Sequence, residues 1–369
     1  MISASPAQAW LARHLPTRQM ALRLGLALAI GAIGGTLFFI GQLPLPWMLG
    51  AMSTATVAAL AGAKLAVPPT LRSAMIAILG VLLGSQFTPS LFENLSQWYV
   101  GLAAVVISTA LMALACIVFF RVFARYDRTT AYFAAMPGGL SEMMLLGESM
   151  GGDARTISLT HGVRILLAVF LIAFYFRLFE GFDGSQMPVT TAASLPLWEI
   201  VALLACAFVG LYAGKRLRLP APQIVGPMIL SAGLHLSGVL EHRPPAEIVA
   251  LAQVILGAAI GARFSGMALR NVWRVMFYAA GATVIMLMIA VGIAYGLAPV
   301  AGTSGSTLLL ALAPGGLAEM SLIALALGNV AAFVSTHHVV RIIVVVIIAP
   351  QLFRLLYGKP KPDATQSPL

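Results

Sequence analysis

Along most of this chain the apolar residues neither alternate nor recur on one face; they run. Twelve stretches are apolar almost throughout, separated by short clusters of polar residues, glycine and proline. They cover roughly 20–40, 46–63, 72–88, 98–120, 130–151 and 157–177. The series then repeats at 196–214, 222–240, 247–264, 275–297, 305–329 and 333–356. A helix that is apolar all round has no face to offer water, and about 20 such residues cross a bilayer. The pattern predicts an all-α polytopic membrane protein. The alternating segments of about ten residues that build a membrane β-barrel are not seen.

Two of the stretches are broken from within. MPGGLSEM, Met136–Met143, carries Pro137, Gly138, Gly139 and Glu142. APGGLAEM, Ala313–Met320, carries Pro314, Gly315, Gly316 and Glu319. The two motifs stand 177 residues apart, and so do His161 and His338, Arg164 and Arg341, and Arg177 and Arg354. LPLPWMLGAM (43–52) matches LPAPQIVGPM (219–228), and LGVLLGSQF (79–87) matches LGAAIGARF (256–264). The chain reads as a duplication, with repeats over 20–180 and 196–357. Residues 1–19 form an N-terminal segment, 181–195 a linker and 358–369 a disordered tail.

Lys and Arg mark cytoplasmic loops. In the first half they precede the first stretch (Arg13, Arg18, Arg23) and follow the second (Lys64, Arg72) and fourth (Arg121, Arg125, Arg128). In the second half they follow the first stretch (Lys215, Arg216, Arg218) and the third (Arg263, Arg270, Arg274). Corresponding loops therefore fall on opposite sides, and the repeats are expected to be inverted. Inversion needs an odd number of crossings per half, so each broken stretch is expected to enter, turn at Pro-Gly-Gly and leave on the same side. That gives about ten spans and two opposed re-entrant or broken helices. The linker is then periplasmic and both termini cytoplasmic, in a bacterial inner membrane. The basic N-terminus lacks a small-residue cleavage site after its first apolar run, so that run is read as a retained span.

Composition agrees: 60% of residues are hydrophobic and 9% charged, against about 25% charged in soluble domains. The net charge of +10 is scattered between spans with no basic domain, which argues against nucleic acid as a partner. Cys116 and Cys206 sit in apolar runs and read as packing residues.

Opposed breaks at matching positions of inverted repeats point to a transport site. A helix broken at mid-membrane exposes N–H groups at one new end and C=O groups at the other, and these attract anions and cations respectively. Ionisable groups at such depth are costly and usually functional. Substrate contacts are expected from Pro137, Gly138, Gly139, Glu142 and Arg164, and from Pro314, Gly315, Gly316, Glu319 and Arg341. Proton or ion coupling is expected from Glu142, His161, Glu319 and His338. His161 and Arg164, spaced i, i+3, share one helix face, as do His338 and Arg341. The other reading of the same residues pairs Glu142 with Arg164, and Glu319 with Arg341, to hold the breaks in place. Pro44, Pro46, Pro220 and Pro222 suit helix starts. Gly80, Gly84, Gly257 and Gly261 have the spacing of close helix packing, and Gln86 and Arg263 beside them are candidates for a cavity wall.

The duplicated P-G-G-L-x-E-M, the P-x-P and the H-x-x-R resemble the AbrB-type duplicated membrane family of Gram-negative bacteria, over roughly residues 20–357. That family is unrelated to the soluble DNA-binding regulator of the same name. Its members carry the labels regulator of an alkylation-response gene and ammonia monooxygenase; neither label follows from the residues here. More distantly, the inverted repeats are similar to the cation/proton antiporter and anion-transporter superfamily, which is analogy of fold and not of function.

Three functions follow for comparison. The leading one is a secondary transporter of a small anionic, carboxylate-like solute, coupled to H+ or Na+, with no cofactor and no metal; a homodimer is compatible with it. A membrane oxidoreductase would need a metal site of His and carboxylate ligands, and no E-x-x-H pair supports one. A membrane regulator without transport would need an output domain, and the loops are short.

Overall fold

The computed structural model describes residues 18–89, 98–181, 191, 195–267, 269–328 and 330–358. The expected N-terminal segment, the linker and the tail after 357 fall almost wholly outside them. Among the described residues there are fourteen α-helices, seven in each half. The first half has α1 (Arg18–Ile40), α2 (Pro46–Leu60), α3 (Pro69–Gly84), α4 (Trp98–Phe119), α5 (Arg128–Ala135), α6 (Leu140–Ser149) and α7 (Ala154–Phe179). The second has α8 (Leu197–Arg216), α9 (Pro222–Leu236), α10 (Ala246–Gly261), α11 (Leu269–Ala301), α12 (Gly305–Leu312), α13 (Leu317–Ala326) and α14 (Ala331–Tyr357). Each helix of the first half has its counterpart seven places on.

The chain is an all-α polytopic membrane protein. Among the described residues seven helices are long and apolar enough to cross a bilayer: α1, α4 with its terminal turn, α7, α8, α10 with its terminal turn, α11 and α14. Their outward faces are large and apolar, as with Leu22, Ile33 and Leu37 on α1 or Val201, Phe208 and Tyr212 on α8. The other three expected spans, α2, α3 and α9, are only 15 or 16 residues long. Proline sets the start of each, where its fixed φ and missing N–H fit the first turn. α2 is buried along much of its length, so most of its surface meets protein, with Val57 exposed.

Two groups of helices emerge. α1–α3 interlock with α8–α10: α2 lies on α1 and α10, and α9 on α8 and α3. The contacts of α2 with α10 and of α9 with α3 are the same contact made twice. Glycine makes both close. A Cβ on Gly84 would come 2.5 Å from the Met228 carbonyl oxygen, and one on Gly261 2.5 Å from Ala55 Cβ. The Ser231 hydroxyl also donates to the Val81 carbonyl across the α9–α3 seam at 2.8 Å. The second group, α4–α7 with α11–α14, joins through α4 on α11, α7 on α11 and α14 on α4.

Both broken stretches are helix pairs. Met136 and Ala313, each before a proline, are extended (φ −68°, ψ 124° and φ −57°, ψ 139°), because the proline ring disfavours helical geometry in the residue before it. α5 and α12 therefore stop, and α6 and α13 start three residues after each proline. At the far end of the first pair the Asp153 N–H donates to Thr130 Oγ1 at 2.8 Å. The start of α5 and the end of α6 thus lie side by side, so this stretch turns back instead of continuing across.

Candidate functional site

The site grows from the two breaks. At each, a helix C-terminus and a helix N-terminus are left unpaired inside the protein. An unpartnered buried carbonyl costs about 1–3 kcal/mol, so the carbonyl ends need donors. Arg164 on α7 supplies them in the first half: Nη1 donates to the Met136 carbonyl at 2.9 Å and Nη2 to the Gly138 carbonyl at 3.0 Å. Arg341 on α14 does the same for Ala313 at 2.6 Å and Gly315 at 3.0 Å. His161 and His338, one turn earlier, donate through Nε2 to the carbonyls of Phe133 and Leu310, both at 2.9 Å. Every donor and acceptor in one set lies 177 residues from its equivalent in the other. The H-x-x-R pattern is thus a clamp on the end of the preceding half-helix. The guanidinium charge also offsets the negative end of that half-helix dipole.

The N-terminal ends carry the acids. Gly139 caps α6 with Glu142 in the first turn, and Gly316 caps α13 with Glu319 in the first turn. A Cβ on Gly139 would overlap the Glu142 carboxylate, and one on Gly316 the Glu319 carboxylate. The second glycine of each motif is therefore required by an acid that folds back over its own helix start, where a negative charge is favoured.

This corrects one of the two readings of the acids. Among the described residues the ion pair formed within 4.0 Å is His242 with Glu199, at 2.8 Å; neither Glu142–Arg164 nor Glu319–Arg341 is one. The arginines are drawn to the carbonyl ends and the acids to the amide ends of different half-helices.

A cavity of about 140 Å³ lies between the two helix groups. That is many times the ~10–15 Å³ that holds one water. Gly138, Gly139, Glu142 and Arg164 line it from one break, and Gly315, Gly316, Glu319 and Arg341 from the other. Pro137 and Pro314 shape the turns without lining it, and His161 and His338 lie behind the clamps, fully buried and off the wall. Gln86 and Arg263 are likewise not on the wall. The opposite wall holds Arg72 and Ile76 on α3, Ala221, Gln223 and Ile224 at the start of α9, and Leu256 and Ile260 on α10.

The two walls differ in symmetry. The break residues come in equivalent pairs, one from each half. The scaffold residues do not: Ile76, Ala221, Leu256 and Ile260 line the cavity and their equivalents Gln253, Leu45, Leu79 and Leu83 do not; Ile76 and Ala221 are half-buried where Gln253 and Leu45 are buried, while Leu256 and Ile260 are as buried as their counterparts. The cavity is lined by one of two equivalent scaffold surfaces.

A model of the family described as transition state regulatory protein AbrB matches residues 47–357, most of both repeats. The chain belongs to the AbrB family. It is 29% identical over 355 residues to the "Uncharacterized protein YhjN" of Bacillus subtilis (strain 168), an alignment covering 89% of this chain and 92% of that one. It is 25% identical over 336 residues to the "Putative regulator AbrB" of Escherichia coli (strain K12), covering 90% and 94%. This AbrB-family chain is thus similar to both relatives along nearly its whole length.

Arg72, Gln223 and Ser141 also line the cavity and were not expected to. Arg72 reads as a loop cation, Gln223 as part of a helix start, and Ser141 as filler inside the motif. A signal for all three is present in the sequence: their equivalents in the other repeat are Val249, Trp47 and Ala318. They stand where the duplicated halves disagree.

No group of three or more His, Cys, Asp and Glu side chains among the described residues is placed to hold a metal ion. Both cysteines are buried free thiols.

Proposed function

We propose that this chain is a secondary transporter that moves a small anionic, carboxylate-like solute by alternating access, coupled to H+ or Na+. On this reading the two repeats are inverted in the membrane, and the two breaks meet at its midplane as the fixed centre of the site. One observation carries it. Both halves give the same residues to one wall of the cavity, while the other wall uses one of two equivalent scaffold surfaces and the second does not line it. A molecule with two equivalent surfaces, one in use, has the parts for a site open first to one side and then to the other.

The half-helix starts at Gly139 and Gly316 hold their own acids and Arg164 and Arg341 hold backbone carbonyls, so the cation left on the cavity wall to favour an anionic group is Arg72. Glu142 and Glu319 are the groups on which a proton or sodium ion would be exchanged. His161 and His338 act on the breaks they hold, one step from the solute. The word regulator in one relative's name fits a carrier whose solute is sensed elsewhere.

The test is uptake into proteoliposomes under an imposed pH or Na+ gradient, with a panel of radiolabelled carboxylates. Gradient-driven accumulation lost in Glu142→Gln and Glu319→Gln supports the reading. No accumulation of any carboxylate under either gradient ends it.

A further inference from the structure

The cavity is close to symmetric in its break wall and asymmetric in charge on its scaffold wall. The break wall has Glu142 and Glu319 folded over their own helix starts without a salt-bridge partner, and its arginines spend their terminal nitrogens on backbone carbonyls. The scaffold wall has one cation, Arg72, at the start of α3 and half-buried. No carboxylate lies within ion-pair distance of it among the described residues, although both break acids act on it across the cavity. Its equivalent in the second repeat is Val249, buried and apolar. The counterpart surface therefore lacks this charge.

A guanidinium without an ion-pair partner on a cavity wall at this depth is costly, and its planar fork matches a carboxylate. Resting on the transport reading, we infer that Arg72 is the residue that recognises the solute's anionic group. The clamp arginines set the shape of the breaks, and Arg72 reads the charge. It does so on one side only: when the Val249 surface lines the site, the anion loses its direct partner and is held less tightly. The same group that selects the solute thus makes its release easier on the far side.

The test uses purified full-length protein in detergent, with lactate and succinate as probes and their uncharged amides as controls, read as a thermal shift against concentration. Wild type is expected to be stabilised by at least one carboxylate and by neither amide. Arg72→Gln should bind that carboxylate about tenfold or more weakly, the loss of one charged hydrogen-bonding partner. Arg72→Lys should recover part of the affinity. Arg216→Gln, an exposed cation at the end of α8 and off the cavity wall, should change it by less than about twofold, within the scatter of remote surface changes. Should Arg72→Gln not purify as a single species, Arg72→Met keeps the apolar stem and carries the same expectation. Unchanged affinity in Arg72→Gln or Arg72→Met overturns the assignment and leaves the transporter standing. Absence of any carboxylate shift in wild type overturns the anionic site and the assignment together.

Discussion

Arg341 Nη2 donates to His338 Nδ1 at 2.8 Å, and the equivalent Arg164 and His161 make no such bond: His161 Nδ1 is buried without a partner. With Nε2–H on the Leu310 carbonyl and Nδ1 accepting from Arg341, His338 is fixed in one neutral tautomer. The second break is therefore tied into a single hydrogen-bonded chain from Leu310 to Gly315, and the first into two separate links. His338→Phe should cost more stability than His161→Phe, by roughly 1.5–3 kcal/mol, the worth of one hydrogen bond to a charged group. Thermal melting of the two variants in the same detergent checks the order.

Each clamp arginine spans two carbonyls, and lysine has no fork to do so. Arg164→Lys and Arg341→Lys should each leave one buried carbonyl unpaired and lose about 1–3 kcal/mol. Arg341→Gln should in addition free His338 Nδ1. If the lysine variants melt like wild type, the arginines are not clamps and their charge is directed at the solute.

Much of this was legible in the chain. The positions of the broken stretches, the P-G-G-L-x-E-M pairs and the repeat offset of 177 all reappear as structure, because proline followed by two glycines combines a residue that disfavours helix before it with two that weaken helix after it, whereas the lone Pro227, Pro299 and Pro350 stay inside helices. The role of H-x-x-R was only half legible. Spacing places His161 and Arg164 on one face, but whether that face meets an acid or a carbonyl depends on how the half-helix ends are turned, which is tertiary. Arg72 was hidden for a different reason. As a lone cation at the start of a short span it reads as a loop arginine; its mismatch with Val249 in the other repeat marks it as unpaired, and only the packing of α3 near the breaks brings it to the cavity.

The scaffold seams depend on Gly80 and Gly84 on α3 and Gly257 and Gly261 on α10, which have no conformational need to be glycine, only a spatial one. Gly84→Ala pushes a methyl group against the Met228 carbonyl and Ser231, and Gly261→Ala against Ala55 and the Thr56 amide. Each should cost about 1–3 kcal/mol, as overpacking does. Gly292→Ala on α11 meets nothing within 4 Å and should be neutral or gain about 0.5–1 kcal/mol in helix propensity. Melting temperatures of the three variants, measured side by side, separate packing from propensity.

The equivalence of the two scaffold surfaces makes a prediction about access. Ile76 and Ala221 are half-buried on the cavity wall, whereas their equivalents Gln253 and Leu45 are buried. The native cysteines are both buried, so single cysteines can be placed with little background. In the conformation described, Ile76→Cys and Ala221→Cys should react with a membrane-impermeant maleimide from the side on which Arg72 lies, and Gln253→Cys and Leu45→Cys should not react from either side. A protein that alternates must at times exchange the two surfaces, so the silent pair should become reactive from the opposite side when conditions favour the other state. Its labelling should rise as that of Ile76→Cys falls. A silent pair that never labels, under any gradient or carboxylate, would mean that the buried surface is permanent core, and that the duplication builds one cavity rather than two alternating ones.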